Sequence, residues 1–143
     1  MGDIAKTAAN VRPLGGAIVR RGTLKSASIA PGDAVYLDGT NGWELADADA
    51  EASAQARGVV VGLPDGAVTS VAGDVADIVV HGPVEGYASM TPGGAAFVST
   101  TAGAIDQTAP ATAGDYPFAI GWAESATVLF VNPQATVPVV NGS

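Results

Sequence analysis

The chain of 143 residues is 48% hydrophobic yet only 14% charged, with 19 Gly, 9 Pro and no Cys. That length suits one domain, and the mix excludes a helical bundle rich in Leu, Glu and Lys while favouring many short strands and turns. The net charge of −8 is uneven: residues 1–25 carry Lys6, Arg12, Arg20, Arg21 and Lys25 against Asp3 alone, a net of +4, whereas residues 26–143 set Arg57 against 13 acids, a net of −12.

Residues 1–16 show no periodicity and contain Pro13, Gly15 and Gly16, which predicts an extended N-terminal arm. AIVRR at 17–21 predicts the first strand. A turn at Ala30-Pro31-Gly32-Asp33 leads into AVYLD, and Asn41-Gly42 marks a tight turn into the paired strand Trp43-Glu44-Leu45. ADADAEASAQA at 46–56 is the one plausible helix. RGVVVGL at 57–63 reads as a buried strand by its β-branched run. Pro64-Asp65-Gly66 turns into AVTSVA, Gly73-Asp74 turns into VADIVVHG, and PVEGYAS, AAFVST and AID follow, with TPGG at 91–94 as a further turn. FAIGWA and ATVLFV supply the last core strands, with Trp122 expected inside, and residues 133–143 read as a loose C-terminal tail. About ten short strands at close spacing indicate an all-β barrel or sandwich over residues 17–132.

Two spacings organise this run. Gly-Asp recurs at 32–33, 73–74 and 114–115, each time 41 residues on. The sequences around these pairs share only strand character, so they are read as turns: glycine supplies positive φ, and aspartate accepts from nearby backbone N–H groups. A second offset aligns more. APGDAVYLDGTNG at 30–42 matches TPGGAAFVSTTAG at 91–103 through Pro31/Pro92, Gly32/Gly93, Tyr36/Phe97 and Gly42/Gly103. ARGVV at 56–60 matches AIGWA at 119–123 through Gly58/Gly121. The chain therefore contains two related β-units of about 60 residues, each with a glycine inside a strand, the mark of a bulge or a close backbone approach.

Chemistry is sparsely represented. His81 is the single histidine, and no G-x-S-x-G elbow supports a nucleophile. Asp47, Asp49 and Glu51 alternate, but a calcium loop wants Gly sixth and Glu twelfth; counted from Asp47 those places hold Ala52 and Gly58. No phosphate-cradling loop precedes a helix. These observations point to no enzyme, no cofactor and no metal. The acidic body repels phosphate, which argues against nucleic acid as a partner. No apolar run reaches the roughly 18 residues of a membrane span, and MGDIAKTAANVRPL lacks the apolar core of a secretory signal. The basic leader reads instead as a protein-binding arm, with Arg12, Arg20, Arg21 and Lys25 for acids and Val11, Leu14, Ile18 and Val19 as apolar anchors. Trp43 and Tyr87 are candidates for a subunit contact, since aromatics are enriched there.

TAANVRPLGGAIVRR, IAPGDAVYLDGTNGWELADADAEA, ARGVVVG, VHGPVEGY, TPGGAAFVSTTAGAI, FAIGWA and LFVNPQ together resemble the capsid decoration (cement) proteins of tailed bacteriophages, over residues 7–133. The resemblance implies a small β-barrel-like domain of the β-tulip kind, assembling as a homotrimer on the outer surface of the virion head. It implies an N-terminal arm lying across neighbouring major capsid protein subunits after expansion of the shell, with assembly in the host cytoplasm. The alternative is another virion β-module, a fibre or adhesin-like domain stacking host carbohydrate on Trp43, Tyr87 and Tyr116.

Overall fold

The computed structural model describes residues 2–40 and 42–142; Asn41, half of the expected Asn-Gly turn, lies outside the described residues. The domain is nearly all β, built around a strongly curled half-barrel sheet. Its strands are β1 (Ala5–Lys6), β2 (Arg12–Pro13), β3 (Ile18–Thr23), β4 (Ala34–Asp38), β5 (Gly42–Leu45), β6 (Gly58–Gly62), β7 (Val75–Glu85), β8 (Tyr87–Ala88), β9 (Ala95–Val98), β10 (Ile105–Asp106), β11 (Ala119–Ala123) and β12 (Val128–Val131), with one helical turn, α1 (Glu51–Ala54), between β5 and β6.

The repeat is visible in the pairing. β4 pairs β5 on one side and β6 on the other, and β6 pairs β7; likewise β9 pairs β10 and β11, and β11 pairs β12. The fourth strands of the two units, β7 and β12, then pair with each other. β7 is the spine. Its first half pairs β6 and its second half β12, while the segment holding β2 and β3 runs down its other edge. VADIVVHG and the opening PVE of PVEGYAS, expected as separate strands, form this one strand of eleven residues. AVTSVA forms no strand: the buried Ser70 hydroxyl accepts from the Ile29 N–H at 3.0 Å and donates to the Ser26 carbonyl at 3.0 Å, tying the segment down as loop.

Because successive strand residues point to opposite faces, β6 and β7 form a wall between two cores. Val60, Ala76 and Ile78 face the smaller core with Leu24, Ile29 and Val35. Val59, Val79 and Val84 face the larger one with Phe118, Ile120 and Leu129. The smaller core is closed where Leu24 bridges Trp43 and the Lys25 N–H donates to the Trp43 carbonyl at 2.9 Å.

The three Gly-Asp pairs are turns, with φ of +94°, +94° and +95° at Gly32, Gly73 and Gly114. Asp33 and Asp74 accept the N–H of Ala30 and Val71, three residues back, at 2.9 and 3.0 Å. Gly121 is the close approach: a Cβ there would stand 2.0 Å from the Phe130 carbonyl oxygen, beside a register shift in β11.

Both ends of the chain depart from the sequence reading. Residues 2–14 are extended apart from a 3-10 turn at Ala8–Asn10, but they lie along their own domain. The Ile4 N–H donates to the Ile105 carbonyl at 2.7 Å, the Ser99 hydroxyl donates to Asp3 at 2.6 Å, and the Lys6 ammonium reaches Asp33 at 2.9 Å and the Pro31 carbonyl at 3.0 Å. This strap thereby ties the second unit to the first. The tail is tied as well. Gln134 and Ala119 exchange two hydrogen bonds of 3.0 and 2.8 Å, and the Asn141 side chain donates to the Pro110 carbonyl at 2.7 Å.

Candidate docking surface

β3 positions four of the eight arm residues expected to dock, Ile18, Val19, Arg20 and Arg21. It is paired along β7 on one edge only, apart from the closure at Leu24, and five of its six residues are exposed. Ile18 is 50% and Val19 40% exposed. Alternation puts neighbours on opposite faces, so Ile18–Arg21 are exposed on both faces, whereas Gly22 lies against Trp43 and Ile78 of the smaller core. Unpaired N–H and C=O groups along such an edge are a template for an added strand.

The charges on this segment are mostly engaged within the molecule. Arg12 holds Glu85 at 2.9 Å, Arg21 approaches Asp77 at 3.5 Å and Lys25 holds Asp38 at 2.9 Å. The Thr40 hydroxyl, then Lys25, then the Thr40 N–H hold the Asp38 carboxyl down at about 2. The hydrogen bond and charge of Glu85 raise the Arg12 guanidinium further. Arg20, exposed, joins no ion pair among the described residues. Beyond β5, burial and the neighbouring Asp49 and Asp115 push the Asp47 carboxyl up, against a hydrogen bond from the Asp49 N–H.

Several expected contact residues are placed elsewhere. Val11 is 6% exposed and belongs to the larger core, so it anchors the strap to its own domain. Leu14 is half-buried, its N–H donating to the Pro83 carbonyl at 2.9 Å. Tyr87 is 4% exposed, and its hydroxyl donates to the Gly32 carbonyl at 2.9 Å. Burial drives that phenol far up, with Asp33 adding to the effect. Tyr87 is therefore a core residue and neither a subunit contact nor a sugar platform. Trp43 is half-buried against Gly22, and Tyr116 is half-buried on the larger core.

Trp122 reverses in the other direction. Expected inside, it is 41% exposed on the outer face of β11. Its ring stacks on Phe130 with centroids 5.2 Å apart and planes 24° apart, and His81 meets Phe130 edge-on at 5.1 Å and 88°. The single histidine thus contacts an aromatic ring. The sequence signal for this row was present in AAFV, AIGWA and VLFV, which are apolar at both parities; that pattern reads as a strand covered on both faces.

Among the described residues no group of three or more His, Cys, Asp or Glu is placed to hold a metal, no buried side-chain polar atom lacks a partner, and no helix is long and apolar enough to cross a membrane. No protein-family model matches the chain, and no curated protein matches it.

Proposed function

We propose that this chain is a non-enzymatic structural protein of a tailed-phage virion, a decoration protein bound as a trimer to the outside of the head. There it bridges neighbouring major capsid protein subunits and stabilises the expanded shell. The observation that carries the reading is β3: a strand held along one edge, with Ile18, Val19 and Arg20 exposed and Arg20 in no ion pair among the described residues. Such a strand suits docking by strand addition, where main-chain hydrogen bonds give affinity and alternate side chains give specificity. Three copies on one trimer engage at once, which raises avidity by about 10² to 10⁴.

Residues 2–14 hold their own domain together, so on this reading docking falls to residues 18–23, and point changes there are the test. Val19→Asp and Arg20→Glu alter exposed side chains, so both variants are expected to keep the wild-type melting temperature within a degree or two. Each is expected to lose roughly tenfold or more in co-sedimentation with undecorated, expanded heads, one factor of ten being about 1.4 kcal/mol. Undiminished binding by the pair of variants would overturn the assignment of β3, and a wild-type protein that ignores shells would overturn the function.

A further inference from the structure

β4 is paired on both sides only at its start. On the β6 side its register ends with Val35 opposite Gly58, where the Arg57 N–H donates to the Val35 carbonyl at 2.9 Å. On the β5 side pairing runs on to Asp38. Successive residues of a strand turn their backbone groups to opposite edges. The Ala46 N–H donates to the Ala34 carbonyl at 2.9 Å, which directs Ala34, Tyr36 and Asp38 toward β5. Leu37 therefore turns its N–H and C=O the other way, where no strand stands. Neither group meets a backbone partner there among the described residues.

That gap is a walled groove of about 600 Å³, within the roughly 300–1,000 Å³ of ligand-binding clefts. β4 lines one side with Tyr36 and Leu37, and the segment between α1 and β6 lines the other with Gln55 and Arg57. The two faces of the sheet differ here. Leu37 is 56% exposed and directly opposes Trp43, and both continue the side of Val35 and the smaller core. Arg57 lies over the Phe118 ring, 5.9 Å from its centroid, on the side of the larger core.

Arg57 sets the charge of what fits. It is the one Lys or Arg of residues 26–143, among 13 acids, yet it joins no ion pair among the described residues. The Gln55 side-chain carbonyl accepts from its guanidinium at 3.2 Å, which steadies the group and leaves donors of its five-proton fork free. The acid on the same rim, Asp38, is already held by Lys25 at 2.9 Å and by the Thr40 N–H at 2.7 Å. A carboxylate arriving from outside therefore meets an uncommitted cation whose fork suits it.

We propose that this groove is a strand-addition site for an extended, acidic peptide segment of a partner protein. The segment pairs with the Leu37 N–H and C=O. Because adjacent strand residues point to opposite faces, it carries an aliphatic residue next to an acidic one: the first packs on Leu37 and Trp43, the second meets Arg57. Main-chain hydrogen bonds supply affinity in such additions, and alternate side chains supply specificity. The inference goes beyond the decoration reading and uses neither β3 nor Arg20.

Amide NMR of the full chain, titrated with the peptide acetyl-Thr-Val-Asp-Val-Thr-amide, tests it. Saturable shifts with a Kd below about 1 mM are expected, together with slowed hydrogen exchange at the Leu37 amide. Arg57→Gln, and a peptide with Lys in place of Asp, are each expected to weaken binding tenfold or more. Leu37→Pro removes an N–H that β5 does not use, a position where a strand tolerates proline; it is expected to abolish binding with an unchanged circular dichroism spectrum. No saturable shift, equal affinity for the Lys peptide, or an Arg57→Gln protein that binds as the wild type overturns the proposal. Acetate binding as tightly as the peptide would reduce the groove to an anion site and overturn it too. No shells enter this titration, so its failure leaves the decoration reading standing, and a protein that binds the peptide but ignores shells would overturn that reading alone.

Discussion

Replacing Tyr87 by Phe removes one hydroxyl and nothing else, which makes it a sharp probe of how the two units are held. The phenol is 4% exposed and donates to the Gly32 carbonyl at 2.9 Å. That carbonyl belongs to a turn already tied on both sides: the Gly32 N–H donates to the Val60 carbonyl at 2.7 Å, and Lys6 caps the Pro31 carbonyl at 3.0 Å. The net hydrogen bond contributes about 1 kcal/mol, and stranding its acceptor in a dry site brings the loss to about 1–3 kcal/mol. For a domain of this length that corresponds to a fall of roughly 3–9 °C in melting temperature. Tyr36→Phe is the control, because its half-buried hydroxyl has no hydrogen-bond partner among the described residues; a change within about 0.5 kcal/mol is expected.

The pH dependence gives the same test a second axis. Burial raises the Tyr87 phenol above its unfolded value of about 10. The unfolded chain therefore releases this proton first, and the stability tied to the neutral phenol is present below pH 10 and lost as pH climbs beyond it. The gap between wild type and Tyr87→Phe should accordingly narrow above pH 10 in calorimetric scans. Equal melting temperatures, a gap constant from pH 8 to 11, or a Tyr87 phenol titrating near 10 with the fold intact would refute the core assignment. A changed oligomer mass with unchanged stability would return Tyr87 to an interface.

Two further outcomes follow from the fold. Gly121→Ala would place a methyl 2.0 Å from the Phe130 carbonyl oxygen, a backbone atom that moves only if β11 and β12 part; a loss of about 3 kcal/mol is expected from the midpoint of guanidinium unfolding, and a midpoint equal to wild type would contradict the packing. Deleting residues 2–14 removes Val11 from the larger core together with the Lys6–Asp33 and Arg12–Glu85 pairs, so the truncated chain is expected to melt well below the full one, and an unchanged melting curve would show that the strap is dispensable.

The fold was legible where residues act locally. Pro-Gly and Gly-Asp fix their turns through φ, and the Pro-Gly turns at 31–32 and 92–93 recur at the 61-residue offset that marks the two units, so the repeat could be read without knowing how the units meet. Long-range pairing was not legible. Nothing local in Gly82-Pro83 shows that the chain runs straight through as one strand; β7 is continuous because β12 and β2 pair it there from both sides. The ends were misjudged for a related reason. Extended segments without periodicity look the same whether they project or lie down, and what holds this leader is all long-range: strand pairing at β1 and β2, one buried valine, and a lysine reaching an aspartate 27 positions away.

The docking surface divides along the same line. Contiguous basic residues give the leader a net of +4, which on its own suggests a strap attracted to acids from a distance. In the folded chain Lys6, Arg12, Arg21 and Lys25 each meet a carboxylate of their own domain, leaving Arg20. Opposed charges within about 4 Å cancel most of the field beyond a Debye length of about 8 Å, so long-range steering by this segment is weak. What remains to hold a partner is short-ranged: the open edge of β3, the exposed Ile18 and Val19, and the aromatic row on β11 and β12. On the proposed reading, several such edges presented together gain avidity for a repeating lattice that a single edge lacks.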